Sequence, residues 1–155
     1  FDDDILYPSS YVDRLAGALP RHRYQAVVGV HATVFQPPIQ SYARDRRILN
    51  FKNRLDFDCM VDELGTGTIA FHSRCISLDP ERWAHLNMAD LMLTIEAMRQ
   101  DVPLVAVRRP RGALQDIAET QEDSLYQKVL QDDRLETGLI RTTMSHYPGR
   151  WCASD

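Results

Sequence analysis

The sequence predicts an α/β fold, because short apolar runs typical of buried strands alternate with segments of helical periodicity. Two runs rich in β-branched residues, 24–30 and 103–107, indicate buried strands. Apolar residues at helical spacing occupy 10–19 and 87–98. With 44% hydrophobic and 26% charged residues, the chain can bury a core, and we expect a single domain over residues 1–155.

Charge and cysteine content argue against several classes of protein. The net charge of −4 argues against a general nucleic-acid binder. The 3 cysteines are far apart and outside any C-x-x-C motif, which predicts reduced thiols in a cytoplasmic protein. No apolar run approaches the length of a membrane span, so we expect no transmembrane segment in this chain.

Three consecutive acids, Asp2, Asp3 and Asp4, precede the aliphatic pair Ile5-Leu6. This pattern favours a position at the carboxyl end of a buried strand, where α/β sheets collect their ligands. Two like charges about 4 Å apart repel by roughly 4 kcal/mol at an effective dielectric constant of 20. The cluster is therefore expected to take up a proton or to bind a hard divalent cation.

A helix is predicted to begin near Ser10-Tyr11, with Ser10 and Asp13 placed for a capping box, and to end before Pro20. His31 follows the strand over 24–30, where it either contacts a ligand or makes a structural hydrogen bond. Residues 33–53 lose periodicity, which predicts an irregular connection. Its basic cluster is interpreted either as a lid that contacts an anionic acceptor or as a solvated surface; the cluster comprises Arg44, Arg46, Arg47, Lys52 and Arg54.

A Gly-Thr segment, Gly65-Thr66-Gly67-Thr68, follows an alternating stretch over 55–62 that predicts a half-buried strand. Glycine lets the backbone approach a ligand closely, and threonine offers hydroxyls to sugar or phosphate oxygens. A simple tight turn is the competing interpretation. The pattern G-x-G-x-x-G is missing, so no dinucleotide fold is proposed.

Asp90 is predicted to lie in the first turn of a helix over 87–98, opposite its apolar stripe and with Asn87 as the cap. It is interpreted either as a favourable charge at a helix N-terminus or as a general base. A shorter helix is predicted to start at Asp79-Pro80 and to run through Trp83 to His85.

The strand over 103–107 runs into Arg108, Arg109 and Arg111. These guanidinium groups either clamp a diphosphate bidentately or form a solvated basic turn. Beyond them, helical spacing over 123–130 and around 135–140 predicts two packing helices.

Taken in order, Asp2-x-Asp4, the helix near Ser10, the Gly-Thr segment and Asp90 resemble bacterial glycosyltransferases of the GT-A fold, similar to family 2. The resemblance implies a GT-A-like mixed sheet flanked by helices. Its nucleotide-binding strands precede Asp-x-Asp in the family, so residues 1–155 are expected to be the C-terminal part of such a domain and to lack those strands.

The resemblance also implies the roles of the site residues. Asp2 and Asp4 hold Mn²⁺ or Mg²⁺ against the diphosphate of a nucleotide-sugar, and Asp90 is the catalytic base. A late histidine completes the metal shell, for which His146 is the candidate and His72 its rival. The remaining expected contacts are Asp3, Arg108, Arg109 and Arg111 with the nucleotide, and His31 and residues Gly65 to Thr68 with the sugar.

The expected function is metal-dependent, inverting transfer of a sugar from a nucleotide-sugar donor to a carbohydrate or glycolipid acceptor. This activity belongs to polysaccharide or glycolipid synthesis, in the cytoplasm or at the inner face of the membrane. Two alternatives stay open. One is a non-catalytic GT-A-like fragment that acts as an interaction module, and the other is a phosphoryl-transfer enzyme, whose paired acids also follow a strand.

Overall fold

The protein has an α/β architecture in the computed structural model, which describes residues 2–83, 85, 87–117 and 129–148. The helices are α1 (Tyr11–Ala18), α2 (Ala89–Arg99) and α3 (Arg134–His146). The strands are β1 (Ile5–Leu6), β2 (Val27–Gly29), β3 (Ala32–Phe35), β4 (Arg46–Leu49), β5 (Cys59–Val61), β6 (Glu63–Leu64), β7 (Ile69–Ala70), β8 (Leu104–Ala106) and β9 (Gln115–Asp116).

The described strands form a four-stranded, a three-stranded and a two-stranded sheet. The four-stranded sheet has the order β5-β8-β2-β7, the three-stranded sheet β4-β3-β6, and the two-stranded sheet pairs β1 with β9. β2 and β8 run parallel, with Val28 opposite Val105, whereas β5 and β7 are antiparallel to their neighbours. The prediction of an α/β fold with a mixed sheet and helices is therefore confirmed.

Alternation along β2 and β8 explains why helices cover both faces of the four-stranded sheet. Val28 and Val105 pack in one cluster with Leu15 of α1. Val27 and Leu104 pack in another with Leu93 of α2. Because successive strand residues point to opposite faces, a strand covered on both faces must be apolar throughout, as both runs are.

The prediction of an irregular connection over 33–53 holds for 36–45 and 50–53 but is wrong for the two strands of this region. β3 and β4 lie in this region and pair antiparallel, with Val34 opposite Arg47. β4 reads Arg-Arg-Ile-Leu, which lacks an alternation of apolar and polar residues. Its pairing with β3 forms the strand, a tertiary effect that overrides local propensity.

The predicted N-caps of two helices need correction. α1 begins at Tyr11, as predicted, but Ser10 makes no side-chain capping hydrogen bond. α2 begins at Ala89, so Met88 rather than Asn87 is the residue at the N-cap.

The remaining secondary-structure predictions hold only in part. A 3-10 helix over Pro80–Arg82 replaces the predicted helix, because Trp83 is already extended. The strand predicted over 55–62 forms only at Cys59–Val61. α3 confirms the later helical segment, and residues 129–131 are helical, whereas the rest of the helix predicted over 123–130 lies outside the described residues.

The start of α3 is fixed to the loop between β3 and β4. Asp133 accepts hydrogen bonds from the hydroxyl of Ser41 and the backbone N–H of Ala43. Thr137 accepts one from the backbone N–H of Tyr42 at 2.8 Å. These bonds place the buried ring of Tyr42 between α3 and β6. Of the helices described, none has the length and apolar character needed to cross a bilayer.

Candidate functional site

A cavity of about 630 Å³ lies beside the first turn of α2 and brings most of the predicted site residues together. Its volume is within the usual range of ligand pockets, roughly 300–1,000 Å³. The predicted residues that line it are Asp2, Asp4, His31, Gly65, Thr66, Thr68 and Asp90.

Asp90 is bound directly to the Gly-Thr segment. Its Oδ1 accepts the backbone N–H of Thr66 and the Thr66 hydroxyl, each at 2.7 Å. Hydrogen bonds to a charged acceptor are about twice as strong as neutral ones, so this pair fixes the orientation of the carboxylate. The prediction that Asp90 lies in the first turn of its helix is confirmed.

Asp2 lies against the same segment at Gly67. A Cβ added to Gly67 would overlap the Asp2 carboxylate, so only a glycine there lets that side chain keep its observed position. The Tyr7 hydroxyl accepts the backbone N–H of Asp2 at 2.9 Å and donates to the Gly67 carbonyl at 2.8 Å. The acidic cluster and the Gly-Thr segment are thereby held together.

Thr68 joins the Gly-Thr segment to the end of β2. Its hydroxyl accepts the backbone N–H of His31 and donates to the Gly65 carbonyl, both at 3.0 Å. The backbone N–H of Gly65 donates in return to the His31 carbonyl at 3.0 Å. The segment forms a 3-10 helix over Thr66–Thr68, so the turn-like interpretation is correct for its backbone.

His31 is a neutral residue of the cavity wall. Burial lowers the pKa of its imidazole, and the nearby Arg109 and Arg46 lower it further against the opposing effect of Asp90. Its ring packs against Phe51, with 5.6 Å between ring centroids. Within the described structure, its buried Nδ1 makes no hydrogen bond. His31 therefore both supports the fold and faces the cavity.

Electrostatics at Asp2 favour a cation. Burial raises the pKa of the Asp2 carboxyl, and repulsion from Asp4 and Asp90 adds to the shift. Among the described residues, no three His, Cys, Asp or Glu side chains form a group that could hold a metal alone. The described residues therefore show repulsion at Asp2 but no complete set of metal ligands.

A buried polar cluster also lines the cavity. Glu63 accepts a hydrogen bond from the Tyr42 hydroxyl at 2.7 Å, and its other oxygen lies 3.5 Å from the guanidinium of Arg46. The Arg46 guanidinium stacks over the Tyr42 ring at 4.6 Å. Burial and the nearby Asp90 charge raise the pKa of Glu63 to about 7, although Tyr42 and Arg46 oppose the shift.

The arginines after β8 do not line the cavity. Arg109 is buried, and its guanidinium donates to the carbonyls of Val107, Leu49 and Asn50. Arg108 and Arg111 are exposed. The contacts of Arg109 are therefore structural, which the sequence did not predict. The diphosphate clamp stays a prediction that no observed contact supports.

The candidate histidines of the metal shell also lie elsewhere. His146 is exposed at the end of α3, with Nδ1 2.7 Å from the Thr142 carbonyl oxygen. His72 accepts the backbone N–H of Arg74 and packs edge-on against Tyr24. Neither histidine lines the cavity, and neither does Asp3, which is exposed.

The basic cluster of 44–54 is dispersed rather than gathered into one surface. Arg46 is part of the buried cluster at Glu63, Lys52 pairs with Asp116, and Arg54 pairs with Asp56. Only Arg46 of these basic side chains lines the cavity.

Sequence reasoning missed Tyr7, Tyr42, Glu63 and Glu136 as site residues. The only available signal was position, because Tyr7 lies shortly after the acids and Glu63 lies two residues before the Gly-Thr segment. Tyr42 and Glu136 reach the cavity through tertiary contacts between α3 and the loop before β4, which have no local pattern.

Comparison with known protein families and with curated proteins gives no match for this chain.

Proposed function

We propose that this protein is a metal-dependent glycosyltransferase that moves a sugar from a nucleotide-sugar to a hydroxyl acceptor, with inversion. One observation carries the proposal. The Asp90 carboxylate is held by two hydrogen bonds from Thr66 on the wall of the cavity that Asp2 and Asp4 also line. Inversion and a place at the inner face of the membrane come from the family resemblance alone, and a place in the cytoplasm also from the cysteine pattern.

Asp90 has the properties of a general base. Both Thr66 donors bind Oδ1, and among the described residues none binds Oδ2. A carboxylate that is fixed through one oxygen can present the other to an acceptor hydroxyl, provided that the hydroxyl comes within about 3 Å. Positioned proton transfer of this kind contributes typically about 10²–10⁴-fold to rate.

Asp2 and Asp4 are the residues that would hold a divalent cation. Burial raises the pKa of Asp2, repulsion from Asp4 and Asp90 adds to the shift, and a cation would relieve that repulsion. When bound, such an ion neutralises negative charge on a departing diphosphate. Gly67 leaves room for the Asp2 carboxylate, and the Tyr7 hydroxyl holds the Asp2 backbone.

The proposed reaction balances as a displacement at the anomeric carbon. The acceptor hydroxyl gives its proton to Asp90 while its oxygen bonds to that carbon. The bond from the carbon to the diphosphate breaks, and the electron pair leaves with the nucleoside diphosphate. The transition state has oxocarbenium character, as in glycoside hydrolysis.

Calorimetric titration tests the proposal. UDP, GDP and their common sugar conjugates are titrated with and without Mn²⁺ into the wild type, Asp4→Ala and the control Asp13→Ala. Asp13 is an exposed acid in the first turn of α1 and does not line the cavity. We expect Mn²⁺-dependent binding that Asp4→Ala abolishes and Asp13→Ala retains.

Two other results, one from this titration and one from a phosphatase assay, would favour the alternatives. A wild type that binds no nucleotide in either condition would contradict the proposal and favour an interaction module. Turnover of a phosphate ester such as p-nitrophenyl phosphate, without sugar transfer, would favour a phosphoryl-transfer enzyme.

A further inference from the structure

Glu136 is a cavity residue that the proposed chemistry does not use. It lies in the first turn of α3, is only 6% exposed, and lines the cavity together with Tyr42 and Glu63. A carboxylate this deeply buried is normally paired or hydrogen-bonded, because its transfer out of water is costly.

No such partner is present for Glu136 in the part of the chain that the structure describes. Its polar atoms are not sealed in the core, since the side chain lines an open cavity. Buried polar groups left without a protein partner call for an explanation, and a bound ligand is one of the common explanations.

Helix capping does not explain the position of Glu136. Asp133 is at the N-cap of α3, which places Glu136 at the third helical position, where a glutamate can bond back to the N-cap N–H. That bond is not made in the described structure, and the Asp133 carboxylate binds Ser41 and Ala43 instead. The helix dipole offsets part of the cost of the charge, on the order of 0.3–1 kcal/mol.

The surroundings of Glu136 indicate the chemistry of its ligand. The Tyr42 hydroxyl donates a hydrogen bond to Glu63, so its oxygen is left with acceptor capacity only. Arg46 also lines the cavity, with its guanidinium against Glu63 and over the Tyr42 ring. The other polar groups of this wall, the Glu136 and Glu63 carboxyls and the Tyr42 oxygen, are hydrogen-bond acceptors, which suit hydroxyl or ammonium groups and disfavour a carboxylate.

We propose that Glu136, with the Tyr42–Glu63 pair beside it, forms the subsite that binds hydroxyl or amino groups of the acceptor sugar and rejects acidic sugars. The assignment of the bound sugar as acceptor rests on the proposed transferase function. The presence of a sugar-binding wall at Glu136 does not depend on it.

Three small glycosides probe the subsite. The p-nitrophenyl glycosides of glucose, glucosamine and glucuronic acid are titrated into the wild type, Glu136→Gln and the control Asp132→Asn. Asp132 is an exposed acid next to α3 that pairs with Arg134 and does not line the cavity. Affinities are measured by ligand-observed NMR at one pH and ionic strength.

The wild type is expected to bind the glucoside and the glucosaminide at least tenfold more tightly than the glucuronide. Glu136→Gln should weaken binding of the glucosaminide at least fivefold and reduce the ratio by which the glucoside binds more tightly than the glucuronide. Asp132→Asn should change neither the affinity nor the ratio. Equal binding of all three probes, binding unchanged in Glu136→Gln, or no binding of any probe would overturn the inference.

Thermal unfolding separates a binding role from a structural one. Because Glu136 makes no hydrogen bond or ion pair with the residues that the structure describes, Glu136→Gln should have a Tm that equals or exceeds that of the wild type. A marked fall in Tm would assign Glu136 to the fold and overturn the inference. Mn²⁺-dependent nucleotide binding should be unchanged in Glu136→Gln. If the wild type shows no such binding, that result would contradict the proposed transferase function but not the sugar subsite at Glu136.

Discussion

At the scale of single residues, Thr66 determines the orientation of the Asp90 carboxylate. Thr66 supplies both a backbone and a hydroxyl donor to one carboxylate oxygen. Asp90→Asn keeps an oxygen for these donors but cannot accept a proton, so we expect sugar transfer to fall about 10²–10⁴-fold. Donor affinity, measured by calorimetry, should change less than threefold.

Thr66→Val is the matched comparison for Asp90. It removes the hydroxyl donor and keeps the backbone N–H, so the carboxylate retains its charge and one of its bonds. We expect a smaller loss of transfer rate than in Asp90→Asn. Equal rates in Asp90→Asn and the wild type would contradict the role of Asp90 as base.

Glu63 predicts a dependence of stability on pH. Its folded-state pKa of about 7 lies above the ordinary value of 4.5, so between these values the folded protein holds a proton that the unfolded chain has lost. Stability from this group is complete below pH 4.5 and is lost as pH rises through 7. The loss corresponds to about 3 kcal/mol, since one pKa unit is about 1.4 kcal/mol.

Urea unfolding of the wild type and Glu63→Gln at pH 5, 6, 7 and 8 measures this effect. The unfolding free energy of the wild type should fall relative to that of Glu63→Gln as pH rises, because glutamine does not titrate. A constant difference across this range would show that Glu63 keeps its ordinary pKa.

The site residues predicted from sequence are those whose chemistry is visible locally. Asp2, Asp4, Gly65, Thr66 and Asp90 stand in short motifs, and the structure brings them to one cavity. The prediction for Arg109 lacks support because a run of arginines does not reveal which guanidinium the fold uses to bind carbonyls. Glu136 was missed because its burial follows from the docking of α3.

At the scale of elements, we expect opposite results from replacing two helical glycines, Gly67 and Gly138, with alanine. Gly67 lies in the 3-10 helix of the Gly-Thr segment, where an added Cβ would overlap the Asp2 carboxylate. We expect Gly67→Ala to displace this carboxylate and to weaken Mn²⁺-dependent nucleotide binding at least tenfold. The measurement is the calorimetric titration with and without Mn²⁺.

Gly138→Ala is the control, because an added Cβ there meets nothing within 4 Å. Gly138 lies inside α3, where alanine is favoured over glycine by about 1 kcal/mol. This variant should unfold at a higher temperature and bind nucleotide like the wild type. Retained Mn²⁺-dependent binding in Gly67→Ala would show that Asp2 does not need its observed position.

Elements were predictable where one physical cause dominated. β2 and β8 are apolar because both faces of their sheet are covered, so their residues alone indicate strands. β3 and β4 depend on each other and on the Glu63–Arg46 contact, which joins residues 17 positions apart. A pattern in one strand cannot reveal such a partner.

At the scale of the whole molecule, ligand binding should be visible as stability. A ligand that binds only the folded state at about 100 times its Kd adds about 2.7 kcal/mol. For a domain of this size, that corresponds to a rise in Tm of roughly 5–10 °C. We expect Mn²⁺ and the nucleotide together to raise Tm by this amount, and Mn²⁺ alone to raise it less.

Removal of the metal provides the control for this shift. Excess EDTA should return the Tm measured with nucleotide to that of the protein alone, and Asp4→Ala should show no shift under any condition. A nucleotide-induced shift that survives EDTA would contradict the metal-dependent binding proposed for Asp2 and Asp4.

The Tyr7 hydroxyl links distant parts of the sequence mechanically. It binds Asp2 and reaches Gly67, which is 60 residues from Tyr7, and the neighbouring Thr66 binds Asp90, 24 residues away. A displacement of the acidic cluster is thus transmitted along a short chain of hydrogen bonds to the carboxylate of Asp90. Tyr7→Phe would cut this chain without removing charge, so it would let the two ends of the cavity fluctuate independently.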